Sequence, residues 1–384
     1  MQKNYSLMDF FKILFLLILI SLYRSDLRAE TGVSDTEILI GQSVPISGAA
    51  AAVGKQLHEG VRVYFKSVND SGGINGRKLE LIVLDDGYGP AKSVDNTRIL
   101  ATDNEVFALT SYYGTQAGLA VLPVLEKEKI PLVGIISGAP ALREPVNRYL
   151  FNVQSSLFNE TEAIANQLLV LGLKNIAVFY QNDEDGKAGL VGVQRALQKR
   201  KVTPIALGMV EKNGNNVDEA TKAIAKVSPQ AVIIIALPKW AAVFIKGMKD
   251  ALQNPLFIGT STLPPSVIYQ ELGENSRGVG VTQVVPDPTS QAKAIVKEYQ
   301  KALSKYSKEK PSVLGLQGFI NAKILAEGIK KAGRDITREK LITSLEAMND
   351  YNLGGFSVNY SPTSHSGSGF VEMGIIGPNG AVKY

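Results

Sequence analysis

The sequence predicts an α/β protein of two lobes, each built on a doubly wound parallel sheet. Three observations carry this. Short β-branched runs alternate with longer segments of helical period, and the series occurs twice. Each run is followed by a helix, which makes parallel βαβ units with right-handed crossovers. No long polar linker separates the two series, which favours lobes packed side by side.

In the first series Glu37–Ser43 reads as a strand, and Lys55–Ser71 as a helix with Leu57, Val61, Phe65 and Val68 on one face. Gly72-Gly73 ends that helix, Asn75-Gly76 turns the chain, and Lys78–Asp85 is the next strand. A helix near Ala91–Thr102, strand Phe107–Thr110, helix Thr115–Glu128 and strand Pro131–Ile136 follow. The second series begins after Phe151–Gln154. It runs through strand Asn175–Tyr180, a helix from Lys187, strand Ile205–Val210, a helix near Val217–Lys226 and strand Ala231–Ala236. A helix after Trp240 and strands Leu256–Gly259 and Val279–Val285 complete it. Helices near Gln291–Ser304, Ser312–Ala332 and Thr337–Met348 come next, and Gly355–Tyr360 and Gly369–Ile376 alternate like a hairpin. Ligands of doubly wound sheets bind beyond the carboxyl ends of the strands, so two such edges facing each other make a cleft.

The N-terminus sets the expected compartment. Lys3 and Lys12 bracket a polar start, Ile13 to Leu22 is apolar but for Ser21, and Ala29 supplies a small residue for cleavage. The apolar run is shorter than the roughly 20 residues of a spanning helix, so residues 1–29 read as a secretory signal, with an uncleaved anchor as the alternative. The chain has no cysteine, which excludes disulfides, thiolate metal sites and a lipidated signal junction. A periplasmic, unanchored, monomeric protein is expected. Removing the signal lowers the net charge from +5 to +3, and the basic residues are dispersed, so no nucleic-acid partner is expected.

Several motifs tempt. Gly48-Ala-Ala-Ala-Ala-Val-Gly54-Lys55-Gln56 is one residue too long for a phosphate loop, and Gln56 replaces the magnesium-binding hydroxyl. Ser47 and Gly48 at that helix start can still hold an anion or carbonyl, or form a plain turn. Gly186-Lys-Ala-Gly189-Leu-Val-Gly192 resembles a dinucleotide fingerprint, but Asp183, Glu184 and Asp185 would repel a pyrophosphate. Its glycines suit close helix–sheet packing. His58 and His365 are the only histidines, read as surface residues, and neither has zinc-type spacing. No cofactor and no catalysis are expected. Trp240, beyond strand Ala231–Ala236, can cover a ligand or join the lobe core. Tyr112 and Tyr113 stand at a strand-to-helix turn, and at least one should face the cleft.

Together the runs Ile40-Gly-Gln-Ser-Val-Pro-Ile-Ser47-Gly48, Asn69-Asp-Ser-Gly72-Gly73-Ile-Asn75-Gly76-Arg77-Lys78 and Asp85-Asp86 resemble the leucine/isoleucine/valine-binding protein family. These are type I periplasmic solute-binding proteins of ABC importers. The resemblance extends to Ala120–Pro123, Pro131-Leu-Val, Ser228-Pro-Gln-Ala-Val and Pro311-Ser312. It implies two lobes joined by three hinge crossovers, near Phe151–Gln154, Val281–Val285 and Leu353–Phe356. The lobes would comprise residues 30–152 with 284–354, and 153–283 with 355–384. It further implies that Ser111, Tyr112, Thr115, Ser137 and Gly138 hold a ligand carboxylate, with Gly138 where a hydroxyl residue is usual. Ser261 stands where the family keeps an acid for the ligand ammonium, and Asp185 replaces an aromatic. An ordinary α-amino acid would then need Asp183 or Asp185 from a shifted position. Ala49–Val53, Pro238, Trp240, Thr262 and Leu263 would line the side-chain pocket. The implied function is solute capture by lobe closure, presented to a membrane permease. The leading ligand class is a carboxylate-bearing aliphatic or aromatic compound, amino acids among them. The alternatives are a receptor feeding a membrane signalling partner and a receptor for a more apolar, neutral or lipid-like ligand.

Overall fold

The computed structural model describes residues 30–383, so the signal reading of residues 1–29 lies outside the described residues. The first sheet is all parallel, in the order β2-β1-β3-β4-β5. Its strands are β1 (Glu37–Val44), β2 (Lys78–Asp85), β3 (Ala108–Thr110), β4 (Leu132–Val133) and β5 (Leu150–Phe151). Between them run α1 (Ala51–Asp70), α2 (Pro90–Arg98) and α3 (Thr115–Glu128). Five consecutive residues of β1, Ile40 to Val44, are buried, as befits a strand covered on both faces.

The second sheet has seven strands. Five are parallel: β6 (Ile176–Gln181), β7 (Ala206–Val210), β8 (Ala231–Ile235), β9 (Leu256–Gly259) and β10 (Gly280–Gln283). Two antiparallel strands, β13 (Glu372–Ile376) and β14 (Val382–Lys383), extend the β10 edge. Its helices are α4 (Leu157–Val170), α5 (Glu184–Gln198), α6 (Val217–Ala225), α7 (Pro238–Asp250) and α8 (Pro265–Leu272). Gly189 of α5 brings helix and sheet together, since a Cβ there would lie 2.7 Å from Ile235, whereas Gly192 serves the contact with α4, where a Cβ would lie 2.5 Å from Thr161.

Helices α9 (Ala294–Tyr306), α10 (Val313–Ala332) and α11 (Arg338–Glu346) return to the first lobe, where Phe319, Ile320 and Leu341 share one core with Ile40 and Val61. The short antiparallel pair β11 (Tyr351–Asn352) and β12 (Ser357–Val358) also belongs there, because Phe356, Val358 and Tyr360 join that core. The third crossover, expected at Leu353–Phe356, therefore falls later. The Gly367 and Ser368 amides donate to the carbonyls of Asn152 and Val153 in the first crossover, and β13 then enters the second sheet. The expected hairpin of Gly355–Tyr360 with Gly369–Ile376 does not form, since each segment pairs elsewhere.

Candidate functional site

Both sheets reverse their strand order beside the first strand of the series, between β1 and β3 and between β6 and β8. The loops leaving these switch points diverge and leave a crevice at the strands' carboxyl ends. The two crevices face each other. A cleft of about 510 Å³, its mouth included, lies between them. Tyr113, Ser137 and Gly138 line it from the first lobe, and Glu160, Asp185, Ser261 and Thr262 from the second. A smaller space of about 260 Å³ shares Tyr113, Asp185 and Thr262 and reaches Tyr88 and Asp183.

The cleft is held shut by polar contacts across the lobes. The Thr115 amide, at the start of α3, donates to Asp185 at 3.1 Å, and the Thr115 hydroxyl donates to the same carboxylate. That hydroxyl also bonds Ser137. Burial, helped by the charge of Asp183, pushes the Asp185 carboxyl up to about 6 against the lowering effect of the Thr115 hydroxyl. At the rim, the Lys212 ammonium donates to Gln116 at 3.0 Å and lies over the Tyr88 ring. Tyr88 in turn packs on Tyr113 at 5.7 Å between centroids.

Glu160, which sequence reasoning missed, is buried in the cleft wall. It accepts from the Ser261 amide at 2.7 Å, the Ser261 hydroxyl at 3.0 Å and the Thr282 hydroxyl. An acid carried by α4 thus stands beside position 261. Burial raises the Glu160 carboxyl above its usual range. Behind the wall, Arg143 spends its guanidinium on the carbonyls of Ser137, Ala139, Gln154 and Ser155. Gln154 and Gln317 also line the cleft, and both were missed.

The structure brings Tyr113, Thr115, Ser137, Gly138, Asp185, Ser261 and Thr262 to this cleft. Others stand apart. The Tyr112 ring turns into the first-lobe core beside Leu109 and Val121, and its hydroxyl bonds Thr97 at 3.1 Å, because the chain alternates direction leaving β3. Ser111 is fully buried, and its hydroxyl accepts from Asn321 at 3.2 Å. Ser47 is exposed, and its hydroxyl donates to Asp85 at 2.6 Å, which ties loop 1 down as a turn. Trp240 covers Gly214 and donates to the Lys212 carbonyl at 3.2 Å, outside the cleft lining. Gly138 has a structural cause: a Cβ there would lie 2.6 Å from Leu157. His365 is buried, stacked on Phe151 and bonded to Glu346 at 3.3 Å, so it is no surface residue. His58 is half-buried and bonds Gln42 at 2.9 Å.

Among the described residues no group of three or more His, Asp or Glu is placed to hold a metal ion, and no helix is long and apolar enough to cross a membrane. A family model described as periplasmic binding protein matches residues 37–372. The Leu/Ile/Val-binding protein homolog 1 of Brucella abortus is 24% identical over 315 residues, covering 79% of this chain and 81% of the relative. The crystal structure of a substrate-binding periplasmic protein from Ralstonia solanacearum superposes with a TM-score of 0.85 at 31% identity, covering 90% of this chain and 99% of that one. An extracellular ligand-binding receptor from Verminephrobacter eiseniae superposes at 0.84 with 27% identity, covering 91% and 100%.

Proposed function

Because this chain belongs to the periplasmic binding protein family, we propose that it captures a small organic solute for an ABC-type importer by closing its lobes, and that it works as a monomer on a ligand that does not react. One observation carries this: the cleft lies at both strand-end edges, and each lobe supplies part of its wall. Ligand docked on one lobe gains contacts with the other only in the closed form, so it shifts the population toward closure. A membrane permease would read that closed shape. Export to the periplasm by removal of residues 1–29, without a lipid anchor, completes the proposal.

Leu157, Val284 and Leu314 give part of the cleft an apolar lining, which suits an aliphatic or aromatic body. The Leu/Ile/Val-binding homologues support the same choice. A thermal-shift screen over amino acids, organic acids, amines, amides and lipids tests the function. A cognate solute at about 100 times its Kd adds roughly 2.7 kcal/mol and raises Tm with concentration. No shift from any class would sink the receptor reading.

A further inference from the structure

Among the described residues, the charged groups of the cleft lining are all carboxylates. Asp183, Asp185 and Glu160 line the two connected spaces, and no lysine, arginine or histidine does. Arg143, the nearest cation behind the wall, is committed to four backbone carbonyls. Lys212 is held at the rim by Gln116 and Tyr88. Two further acceptors are unmet: the side-chain carbonyls of Gln154 and Gln317 are buried without a partner, in residues 4% and 1% exposed. The Gln154 amide nitrogen donates to Asn321, which leaves its oxygen as the free end. Buried acceptors without donors are costly, and a ligand that supplies donors relieves them.

The anion seat of the cleft is already taken. The Thr115 amide and hydroxyl form an anion seat at the start of α3, and Asp185 from the opposite lobe fills it. A ligand carboxylate would have to displace Asp185 and then sit among like charges.

We infer that the cleft takes an organic amine, whose cationic nitrogen meets Glu160, Gln154 and Gln317, and that Asp185 excludes carboxylates by occupying their seat. The inference rests on the cleft being the ligand site, as proposed above, and it departs from the carboxylate-bearing class that the resemblance implies.

The test measures thermal shifts of the full chain with butylamine, isopentylamine and benzylamine against butyrate, isovalerate and benzoate. At least one amine should raise the Tm of the wild type, and no acid should. Glu160→Gln should lose the amine response. Asp185→Ala should gain an acid response, with isovalerate acting at a concentration about tenfold or more below any effect on the wild type. If Asp185→Ala does not fold, Asp185→Ser, which shortens the side chain out of the seat but keeps it polar, should gain the same acid response. An acid that stabilises the wild type overturns the inference. So does silence of the amines while a solute of another class binds, an outcome that leaves the receptor function standing. Silence of every class removes both.

Discussion

Tyr112 and Tyr113 are neighbours in the chain and serve different parts of the molecule. Tyr112 packs the first-lobe core and Tyr113 lines the cleft. Tyr112→Ala should therefore cost about 3–5 kcal/mol of stability in urea titrations, as large-to-small core changes do. Tyr113→Ala should weaken binding of the cognate solute by calorimetry while costing less stability. Equal stability losses would refute the division. From the sequence at least one of the two tyrosines was expected to face the cleft, but period-2 alternation assigns the faces only once the last strand residue is known, and β3 ends at Thr110. Glu160 left a signal that could have been read. It lies on the face of α4 that buries Leu157, Ile164 and Leu168, and an acid on an apolar stripe needs a polar reason.

At the scale of elements, α1 and α10 approach closely because glycines meet at their crossing. A Cβ on Gly60 would stand 1.9 Å from the Gly315 carbonyl, and one on Gly318 would stand 2.1 Å from that of Leu57. Gly60→Val should force the helices apart, costing about 1–3 kcal/mol or more and lowering the urea midpoint. A midpoint equal to wild type would show that the pair can relax. The alternation of strands and helices was legible along most of the chain, because apolar periodicity survives wherever an element buries one face. Two helices were not. The start of α4 reads as a crossover, yet Ser156 caps it by accepting from the Asn159 amide. The other, α8, begins at Pro265, where proline suits the first helical position. The misplaced third crossover has a similar cause, since a two-residue strand such as β12 carries too little periodicity to show which sheet it serves.

For the whole molecule, closure links to pH through Asp185. Its carboxyl lies at about 6 in the closed form, against an ordinary 3.8 when exposed. The closed form therefore holds the proton more firmly. That contribution is complete below the ordinary value, fades as pH rises toward about 6, and is absent above it. Asp183, Glu184, Tyr88 and Tyr113 surround the group, and Glu160 lies in the same cleft. Small-angle scattering of the ligand-free protein should show a smaller radius of gyration near pH 5 than near pH 7.5. In Asp185→Ala the trend should disappear. A trend of equal size in that variant would assign the effect elsewhere. The two-lobed plan was readable in outline from the doubled series of strands, whereas the closing contact was not, because it joins residues 70 positions apart in different lobes.

The return of α9, α10 and α11 to the first lobe has a bearing on how the chain is made. Residues 37–133 hold the strands and helices of the first sheet up to β4, but the face of α1 carrying Val61 and Phe65 stays bare until Phe319 and its neighbours have been synthesised. The second lobe's parallel strands are complete much earlier, by Gln283. A nascent chain released before residue 313 would thus carry an uncovered apolar helix in the first lobe and, in the second, five parallel strands still without the edge strands β13 and β14.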